Sequence, residues 1–498
     1  MTRSRIFLYM LIGFIAGIGG ESFVAIPIIA VWGIGLIAVV VLARALSQRK
    51  KTLAIAAVII VSCLAGVVRM QYAKHRVPDL DAFSQRRMKA FGAVVEDPRF
   101  TEKNQIVLLD VKEIERMPVA SPIIISVMLR KYPAYKRGDN LYTEGTFEAK
   151  PYNGVTAGIL FSSHEEKRGE NDSGIILRWM SASKEAFNAH INAALPEPHA
   201  SFMKGLLLGE RAAMPNYLLQ EFRRTGTSHI VALSGYNITL VGTFLVSILL
   251  MFTVPFRATF WIAGSSIILF VLLTGAQASL VRAAIMGILV LIAMREGRMY
   301  HMTNALVCAG VFMLAANPYL LRFDVGFQLS FLASLGLIYV TDPVDRVLNS
   351  VEYRVHLLVK GKRMLQKKEH RIVDGIKKIM SQTIAAQLSV LPLLIYLFGG
   401  VSLIAPISNL FVLVAIPYAM AFGFLTGILG FVWQPMSTIA GWCAWIILQY
   451  ELVVIHFFSK ISFSFIPVSF AGEIFIIIAY GIAGFMWWKI KRRLADGE

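Results

Sequence analysis

Residues 23–42 read FVAIPIIAVWGIGLIAVVVL, a run without a single charged side chain. About 20 such residues are needed to cross the hydrocarbon core of a bilayer as a helix. Comparable stretches, nearly free of charge, recur at 228–254, 402–432 and 470–488, and they exceed ordinary strands or buried helix segments in length. Only 16% of the 498 residues are charged, against about a quarter in soluble domains. The sequence therefore predicts a polytopic α-helical membrane protein, with about twelve spans.

Most of the net charge of +18 comes from basic residues whose placement indicates how the chain is oriented in the membrane. The polar stretch 69–225 holds 23 Lys and Arg against 19 Asp and Glu, so most of the excess lies in the short loops and ends of the membrane part. Basic residues cluster at 3–5, 44–51, 346–378 and 489–493, a pattern typical of cytoplasmic loops. We expect an inner-membrane protein with residues 69–225 exterior or periplasmic and both termini cytoplasmic. A smaller share of the charge remains for an anionic partner.

The composition shifts divide the chain into seven segments. They are 1–68, N-terminal transmembrane helices; 69–180, an exterior OB-like β domain; 181–227, amphipathic helices along the membrane surface; 228–340, the first part of a transmembrane bundle; 341–380, a basic cytoplasmic loop; 381–490, the second part of the bundle; and 491–498, a cytoplasmic tail. Pro406 and Pro417 leave a broken or re-entrant segment open within 402–432. The three cysteines lie in predicted spans and suit no metal site. No cofactor is expected.

The exterior domain has strand-like alternation at 90–96, 105–112, 122–130 and 140–150, with a fifth candidate at 174–179. Five short strands fit a small closed barrel such as an OB-fold. Basic residues adjoin aromatic residues in this domain: Tyr132, Tyr135, Tyr142, Phe147 and Tyr152 lie near Lys131, Lys136, Arg137 and Lys150. Such rings stack on bases in single-strand binders, and the same rings serve equally well as barrel core. Both interpretations stay open.

Residues 205–242 read GLLLGERAAMPNYLLQEFRRTGTSHIVALSGYNITLVG. This segment resembles the signature of the ComEC family, and segments 279–288, 317–336 and 385–411 are similar to the same family. The family comprises DNA-uptake channels of naturally transformable bacteria. The resemblance implies single-stranded DNA as cargo and membrane lipid as surroundings. It also implies an exterior DNA receptor, a separate nuclease and a cytoplasmic motor as partners, and it leaves a homo-oligomer open.

Two departures from the family pattern affect the chemistry. Many relatives have Ser-Gly-Leu-His where this chain has Ser234-Gly235-Tyr236-Asn237, so a role for an imidazole there is not expected. Larger relatives add a metallo-β-lactamase-like domain, a candidate nuclease that needs a His-x-His-x-Asp-His cluster. None of the nine histidines lies within two positions of another. We expect a protein that conducts DNA without cutting it, and not an enzyme.

A polyanion that crosses hydrocarbon needs a hydrated path lined by polar groups, which we call the lane. The segments that carry the resemblance place polar groups, Thr239 among them, inside apolar spans. Our candidates for the DNA path are Ser234, Asn237, Gln277, Arg282, Gln328, Gln387 and Asn409. The alternative is that these groups tie helices together, at about 0.6 kcal/mol per contact. For each single residue both interpretations stay open, while the set as a whole favours the lane.

Basic residues at the entrance of the DNA path, which we call the mouth, and a helix cap complete the expected site. Arg223 and Arg224, with Lys136 and Arg137 in the exterior domain, could guide phosphates, or the first two could snorkel at the interface. Asp324 precedes a predicted span, where an Asp caps a helix N-terminus. 

Two other functions are alternatives to a DNA channel. One is a transporter of another polar or lipid-like substrate built on the same bundle. The other is an intramembrane serine hydrolase using Ser234 and His229. The hydrolase is disfavoured because the sequence is not the G-x-S-x-G elbow, and because five residues at about 100° each separate the two side chains on one helix.

Overall fold

A computed structural model describes residues 3–75, 80, 83–96, 98–100, 104–115, 117–133, 135–149, 158–170, 175–211, 214–231, 233–360, 371–461, 463–468, 472, 475, 478–482 and 484. Their contacts form two units, Met1–Ser183 with Pro255–Gln328, and Lys184–Val254 with Leu329–Glu498. The helices are α1 (Arg3–Phe23), α2 (Ile28–Ser47), α3 (Lys51–His75), α4 (Ile175–Ala194), α5 (His199–Leu208), α6 (Asn216–Thr225), α7 (Ser228–Val231), α8 (Gly235–Met251), α9 (Phe256–Leu273), α10 (Ala278–Arg295), α11 (Met302–Ala316), α12 (Leu320–Phe323), α13 (Val325–Tyr339), α14 (Thr341–Lys360), α15 (Arg371–Phe398), α16 (Ala405–Gly430) and α17 (Gln434–Ser459). The strands are β1 (Arg86–Val94), β2 (Arg99–Phe100), β3 (Asn104–Ile114), β4 (Met117–Arg130), β5 (Asp139–Ala149), β6 (Gly158–Glu170), β7 (Gly400–Ser402) and β8 (Phe465–Pro467).

Seven of the described helices are long and apolar enough to cross a membrane: α1, α2, α3, α10, α15, α16 and α17. Helix α13 and the first part of α14, bent by 52° at their junction, make an eighth if they form one span. Helices α8, α9 and α11 are apolar but shorter, and they lie within 228–340, the predicted first part of the bundle. The predicted class, a polytopic α-helical membrane protein, is confirmed. The last expected span, 470–488, lies largely outside the described residues.

Glycines allow α1 and α3 of the first unit to cross closely. A Cβ on Gly17 would lie 1.9 Å from the carbonyl oxygen of Cys63, and one on Gly66 would lie 2.1 Å from the carbonyl oxygen of Phe14. Neither contact is possible for a side chain, so the two backbones touch as they do at small-residue interfaces in membranes.

Charged side chains at the ends of the spans in this unit are paired with neighbouring helices. Glu21 is buried and forms an ion pair with Lys74 over 2.8 Å. Arg69 donates from Nε and Nη2 to the carbonyls of Ala315 and Ala316, over 2.7 and 2.8 Å. These contacts tie α3 to α1 and to the C-terminal end of α11, and they satisfy helix carbonyls that lack an intrahelical partner.

The β domain is a closed five-stranded barrel with the short β2 added at its edge. Its order is β1-β5-β6-β4-β3, and β1 also pairs with β3. All barrel pairings are antiparallel except β4 with β6, which is parallel. Inward residues alternate along the strands, and the core includes Met88, Leu109, Ile125 and Phe147. The predicted OB-like barrel is confirmed.

The fifth strand of the barrel lies elsewhere than predicted. It is β6, residues 158–170, and the apolar segment predicted for it, 174–179, includes the first turn of α4. Only Ile159–Phe161 of β6 pair with β4, and beyond them β6 continues as a two-stranded ribbon with β5. The ribbon carries Glu165, Glu166 and Lys167, so the period-two hydrophobic signal is missing there.

The predicted surface helices of 181–227 are partly wrong. All ten residues of α5 are buried, because glycines of α16 leave room for neighbouring side chains. A Cβ on Gly423 would lie 2.2 Å from Sδ of Met203, and one on Gly427 would lie 2.0 Å from the ring of Phe187 on α4. Helix α6 is amphipathic as predicted, with Leu218 and Phe222 buried and the Arg side chains exposed.

Three other segments differ from the predicted organisation. Residues 228–254 are broken into α7 and α8. Residues 405–430 form the single helix α16 despite Pro417, with Pro406 in the first turn, where its missing N–H costs no hydrogen bond. The predicted loop 341–380 is helical over 341–360 and from 371 onward.

Candidate functional site in the helical bundle

Two glycines fix the turns of the signature segment in the second unit. Gly209 ends α5 and Gly226 ends α6, both in the left-handed conformation with φ of 74° and 70°, which glycine adopts without strain. A Cβ on Gly226 would also lie 2.4 Å from Cβ of Ala405. The signature segment therefore contacts the start of α16 at a position that requires glycine.

Hydroxyl groups surround this contact. Oγ1 of Thr225 and Oγ1 of Thr227 are 2.8 Å apart. Oγ of Ser408 on α16 donates to the carbonyl oxygen of Thr225 over 2.7 Å. All three residues are fully buried. The hydrogen bonds join the signature segment to α16 through its main chain.

Next to these hydroxyls lie polar atoms without a protein partner. Nε2 of Gln387 donates to the carbonyl oxygen of Ser402 over 2.8 Å. Within the described residues, however, Oε1 of Gln387, Oγ of Ser402, Oδ1 of Asn409 and Oγ of Ser464 are buried and make no hydrogen bond. We call the following set the polar cluster: Thr225, Thr227, Gln387, Ser402, Ser408, Asn409 and Ser464. The N–H of Leu403 donates to the carbonyl oxygen of Ser464 over 3.1 Å, and Asn409 follows Ser408 in α16, so the four residues lie on adjoining segments. Buried polar atoms are rarely left unsatisfied in proteins, and these segments are therefore our candidate site for water or a ligand.

Arg223 lies at the two-stranded β7–β8 sheet, where Ser402 of the polar cluster is located. Its guanidinium donates to the carbonyl oxygen of Phe398 and lies 5.7 and 5.6 Å from the ring centroids of Phe398 and Phe465. Cation–π contacts of this kind hold a guanidinium in place. Arg224, the second predicted mouth residue, is exposed on α6.

Ser234 and Asn237 form a capping pair at the start of α8. Oγ of Ser234 donates to Oδ1 of Asn237 over 3.0 Å, and Nδ2 of Asn237 donates to the carbonyl oxygen of Leu206 over 3.0 Å. The second bond joins α8 to α5, which matches the alternative to a path-lining role. Nδ1 of His229 is 3.1 Å from the carbonyl oxygen of Gly226, and the Ser234 hydroxyl is engaged by an amide. Among the residues that the structure describes, the hydroxyl of Ser234 contacts an amide and not the base that a serine nucleophile requires.

The other predicted path residues of the spans belong to the first unit. Nε2 of Gln328 donates to the carbonyls of Leu321 and Arg322, over 3.0 and 2.8 Å. Gln277 is exposed at the N-cap of α10. Arg282, only 9% exposed in α10, has Nη1 at 3.5 Å from Sδ of Met286. 

Asp324 lies at the N-cap position before α13. Its Oδ1 accepts the N–H of Phe327 over 2.5 Å, a bond typical of helix caps.

The barrel separates the aromatic residues into core and surface. Phe147 and Tyr135 are buried in the core, whereas Tyr132 is 75% exposed, and Lys136 and Arg137 are exposed in the same loop. Burial raises the pKa of Tyr135, and Glu165 and Asp139 raise it further. Gln105 fastens this loop, with Nε2 donating to the carbonyls of Arg130 and Pro133 over 2.8 and 2.5 Å. Tyr152 and Lys150 lie outside the described residues.

Sequence reasoning missed Glu451 in α17. It is 0% exposed, and within the described residues neither carboxylate oxygen has a hydrogen-bond partner. It is the one carboxylate of the span Gln434–Ser459, and a carboxylate well inside a span is itself a signal of function. That signal was available in the sequence. Among the residues that the structure describes, no three His, Cys, Asp or Glu side chains could together hold a metal.

Comparison with known proteins connects this bundle to a family. The chain is 26% identical over 238 residues to the ComE operon protein 3 of Bacillus subtilis (strain 168), a match that covers 48% of this chain and 27% of that protein. The matched region is thus about a quarter of the length of the curated relative. No solved structure matches the chain. Residues 206–493, which include α6 to α17 and the polar cluster, match the model of the family described as Competence protein. Because this match covers more than half of its residues, the chain belongs to the Competence protein family.

Proposed function

We propose that this protein is an inner-membrane channel that conducts single-stranded DNA into the cytoplasm during natural transformation. The observation that carries the proposal is the polar cluster, with its four buried, unpartnered polar atoms inside the region matched to the Competence family. Irregular backbone and polar groups at membrane depth are tolerated where they line a water-filled cavity. Water in the polar cluster would give phosphates a lane that hydrocarbon denies them.

Charge next to the polar cluster supports DNA as the cargo. Arg223, held at the β7–β8 sheet, and Arg224, exposed one residue later, place two cations on the last turn of α6. Phosphate contacts from Arg fix nucleic acid without reading its sequence, as a channel for any DNA requires. The amide groups of Gln387 and Asn409 each offer both donors and an acceptor. They can therefore bind hydrated phosphate and base edges alike.

The barrel supports an exterior contact with DNA. Tyr132 and Arg137, both exposed in the β4–β5 loop, are the combination of ring and cation that single-strand binders use. In this proposal residues 69–225 face the exterior and receive DNA from a receptor, and the C-terminus is cytoplasmic, where a motor pulls the strand. The whole chain acts as a conduit, and a separate nuclease removes the other strand.

Substitution of Asn409 by leucine tests the path. A buried acceptor without a partner costs stability, so Asn409→Leu should leave thermal stability in detergent unchanged or raise it. If Asn409 lines the path, the same variant should lower cytoplasmic uptake of labelled DNA at least tenfold in a strain lacking the chromosomal gene. Both measurements are made on the full chain at matched membrane abundance.

Thr426→Val is the matched control. Thr426 is also buried in α16, but its hydroxyl donates to the carbonyl oxygen of Phe422 in its own helix over 2.7 Å, so uptake should stay normal. Normal uptake in Asn409→Leu would remove the polar cluster from the DNA path.

The proposal of a conduit without nuclease activity has its own experiment. The histidines are too scattered in the sequence to form the His-x-His-x-Asp-His cluster of a metallo-β-lactamase-like nuclease. Purified protein should therefore leave DNA intact in the presence of Mg²⁺, Mn²⁺ or Zn²⁺. Cleavage that co-purifies with the chain through successive columns would contradict this part of the proposal.

A further inference from the structure

Glu451 is buried inside packed protein and not at a lipid-facing surface. Two residues before it, Oε1 of Gln449 is 2.7 Å from Nε2 of His199 on α5. Five residues after it, Nδ1 of His456 is 2.6 Å from Oε1 of Glu221 on α6. Helix α17 is therefore held to α5 and α6 on both sides of Glu451. At 1.5 Å per residue, Glu451 lies about 12 Å from the C-terminal end of α17, well inside the span.

The surroundings of Glu451 are apolar. Leu448 and Ile455, one turn away on either side of the same helix face, belong to the core cluster of the second unit, as do Phe202 on α5 and Phe222 on α6. A carboxylate without a donor in such a core leaves a full charge uncompensated. One bound proton removes the charge.

The ionisable groups on the helices packed against α17 are engaged elsewhere or exposed. On α5, His199 contacts Gln449 and Lys204 lies 3.9 Å from Glu197. On α6 and α16, the ionisable side chains are Tyr217, Glu221, Arg223, Arg224 and Tyr418. Of these, Glu221 contacts His456, Arg223 donates to Phe398, and the other three are exposed. Within the described residues, none of them forms an ion pair or hydrogen bond with Glu451.

We propose that Glu451 is a proton-binding site of the bundle, and that proton binding there couples DNA import to the transmembrane proton gradient. The coupling to DNA import rests on the proposed function, whereas the proton-binding site does not. The ligand is a proton and not a metal ion, because Ca²⁺ takes six to eight oxygen ligands and Mg²⁺ takes six, and the neighbouring core side chains supply none. The step is simple: the carboxylate takes up one proton to become the neutral acid, and it returns to the anion on release.

A buried site of this kind suits the energetics of the proposed cargo. DNA is a polyanion, and a negative cell interior opposes its import. Inward proton movement through a binding site inside the same bundle supplies a driving force of the required direction. Intramembrane carboxylates serve as relay points in proton-driven pumps and transporters for the same reason.

The proton site is tested first, without DNA. An apolar carbodiimide reacts with protonated carboxyl groups in apolar surroundings, so treatment of the purified full chain at pH 7 should modify Glu451, as mapped by peptide mass spectrometry. Glu221 and Glu210 are controls, because each is paired with a basic side chain, His456 or Lys184. Absence of modification at Glu451, or equal modification of all three, would overturn the proton site.

The coupling is tested by DNA uptake. We expect Glu451→Gln, which is neutral and of the same shape, to match the wild type in membrane abundance and melting temperature. Its DNA uptake should fall at least tenfold and lose its response to collapse of the pH gradient by an ionophore, while Glu451→Asp keeps part of both. Wild-type uptake and response in Glu451→Gln, or a large loss of its stability, would overturn the coupling. If the wild-type chain restores no uptake to the deletion strain, the channel proposal fails, and with it the coupling, while the carbodiimide result still decides the proton site.

Discussion

Replacing Asn237 by leucine removes the side chain that joins the end of α5 to the start of α8. Leu206 lies in the last turn of α5, where carbonyl oxygens have no partner within the helix. The amide of Asn237, 2% exposed, supplies that partner over 3.0 Å and accepts the hydroxyl of Ser234 over 3.0 Å. Leucine has a similar volume and neither polar group.

The loss in the free energy of unfolding can be calculated from the carbonyl oxygen of Leu206, which has no donor in the variant. A buried acceptor without a partner costs about 1–3 kcal/mol, whereas the mean contact between membrane helices is worth about 0.6 kcal/mol. The larger value, the cost of an unpaired buried acceptor, applies here because Leu206 and Asn237 are both buried and water cannot replace the amide. We expect Asn237→Leu to lose about 1–3 kcal/mol, about a 5–150-fold fall in the ratio of folded to unfolded protein.

Thermal unfolding of the full chain in detergent measures the loss. Thr239→Val is the control, because the Thr239 hydroxyl is exposed and bonds to Gly235 in its own helix over 3.0 Å, so its change should stay within about 0.5 kcal/mol. Asn237→His restores the residue of many relatives and keeps a donor, and it should recover part of the loss. Wild-type stability of Asn237→Leu, with DNA uptake abolished, would refute the capping role and return Asn237 to the path.

Further predictions concern topology, the barrel and Arg282. In a cysteine-free background, an impermeant thiol reagent applied to intact cells, or to spheroplasts if an outer membrane is present, should label Ser163→Cys and not Ser350→Cys; the reverse pattern would invert the topology. Gln105→Leu should cost at least about 1 kcal/mol and speed hydrogen exchange of residues 131–138, which unchanged exchange would contradict. Because burial raises the pKa of Tyr135, the folded barrel holds its phenol neutral. That stabilisation is complete below the unfolded pKa of about 10 and is lost as pH rises through the folded value, so Tyr135→Phe should flatten the fall in melting temperature above pH 10. Arg282→Gln should keep normal abundance on immunoblots and lose most DNA uptake, with Arg282→Lys keeping much of it; normal uptake in Arg282→Gln would exclude it from the path.

The membrane class could be predicted from the length of the apolar runs, and most of the barrel from the alternation of apolar and polar residues along its strands. Residues 23–42 are apolar throughout, and hydrocarbon length alone turns such a run into a span. Four of the five barrel strands have one buried face, so alternation located them to within a few residues. The fifth strand, β6, extends into a ribbon with charged residues on it, where no buried face imposes a pattern.

The burial of α5 could not be predicted from its own ten residues. It is buried because Gly423, more than 200 positions later in the chain, leaves space on α16 for Met203. A short apolar helix that contains Lys204 matches a surface helix equally well by composition. The distinction depends on which partner is packed against it, and the sequence does not state that.

The sequence is equally unable to show which partners the polar residues of the spans contact. Sequence alone placed Gln328, Asn237 and Asn409 in one class, because each is an amide in an apolar segment. The structure divides them, since Gln328 and Asn237 donate to main-chain carbonyls, while Oδ1 of Asn409 makes no hydrogen bond within the described residues. An amide that bonds two helices contributes to stability, and its presence needs no further cause. Asn409 and Glu451 are buried at a cost that leucine would remove, so stability does not account for them. Such local conflicts are expected where function outweighs stability, which is why these two positions, and not the whole set of polar residues, are where loss of transport and gain of stability should coincide.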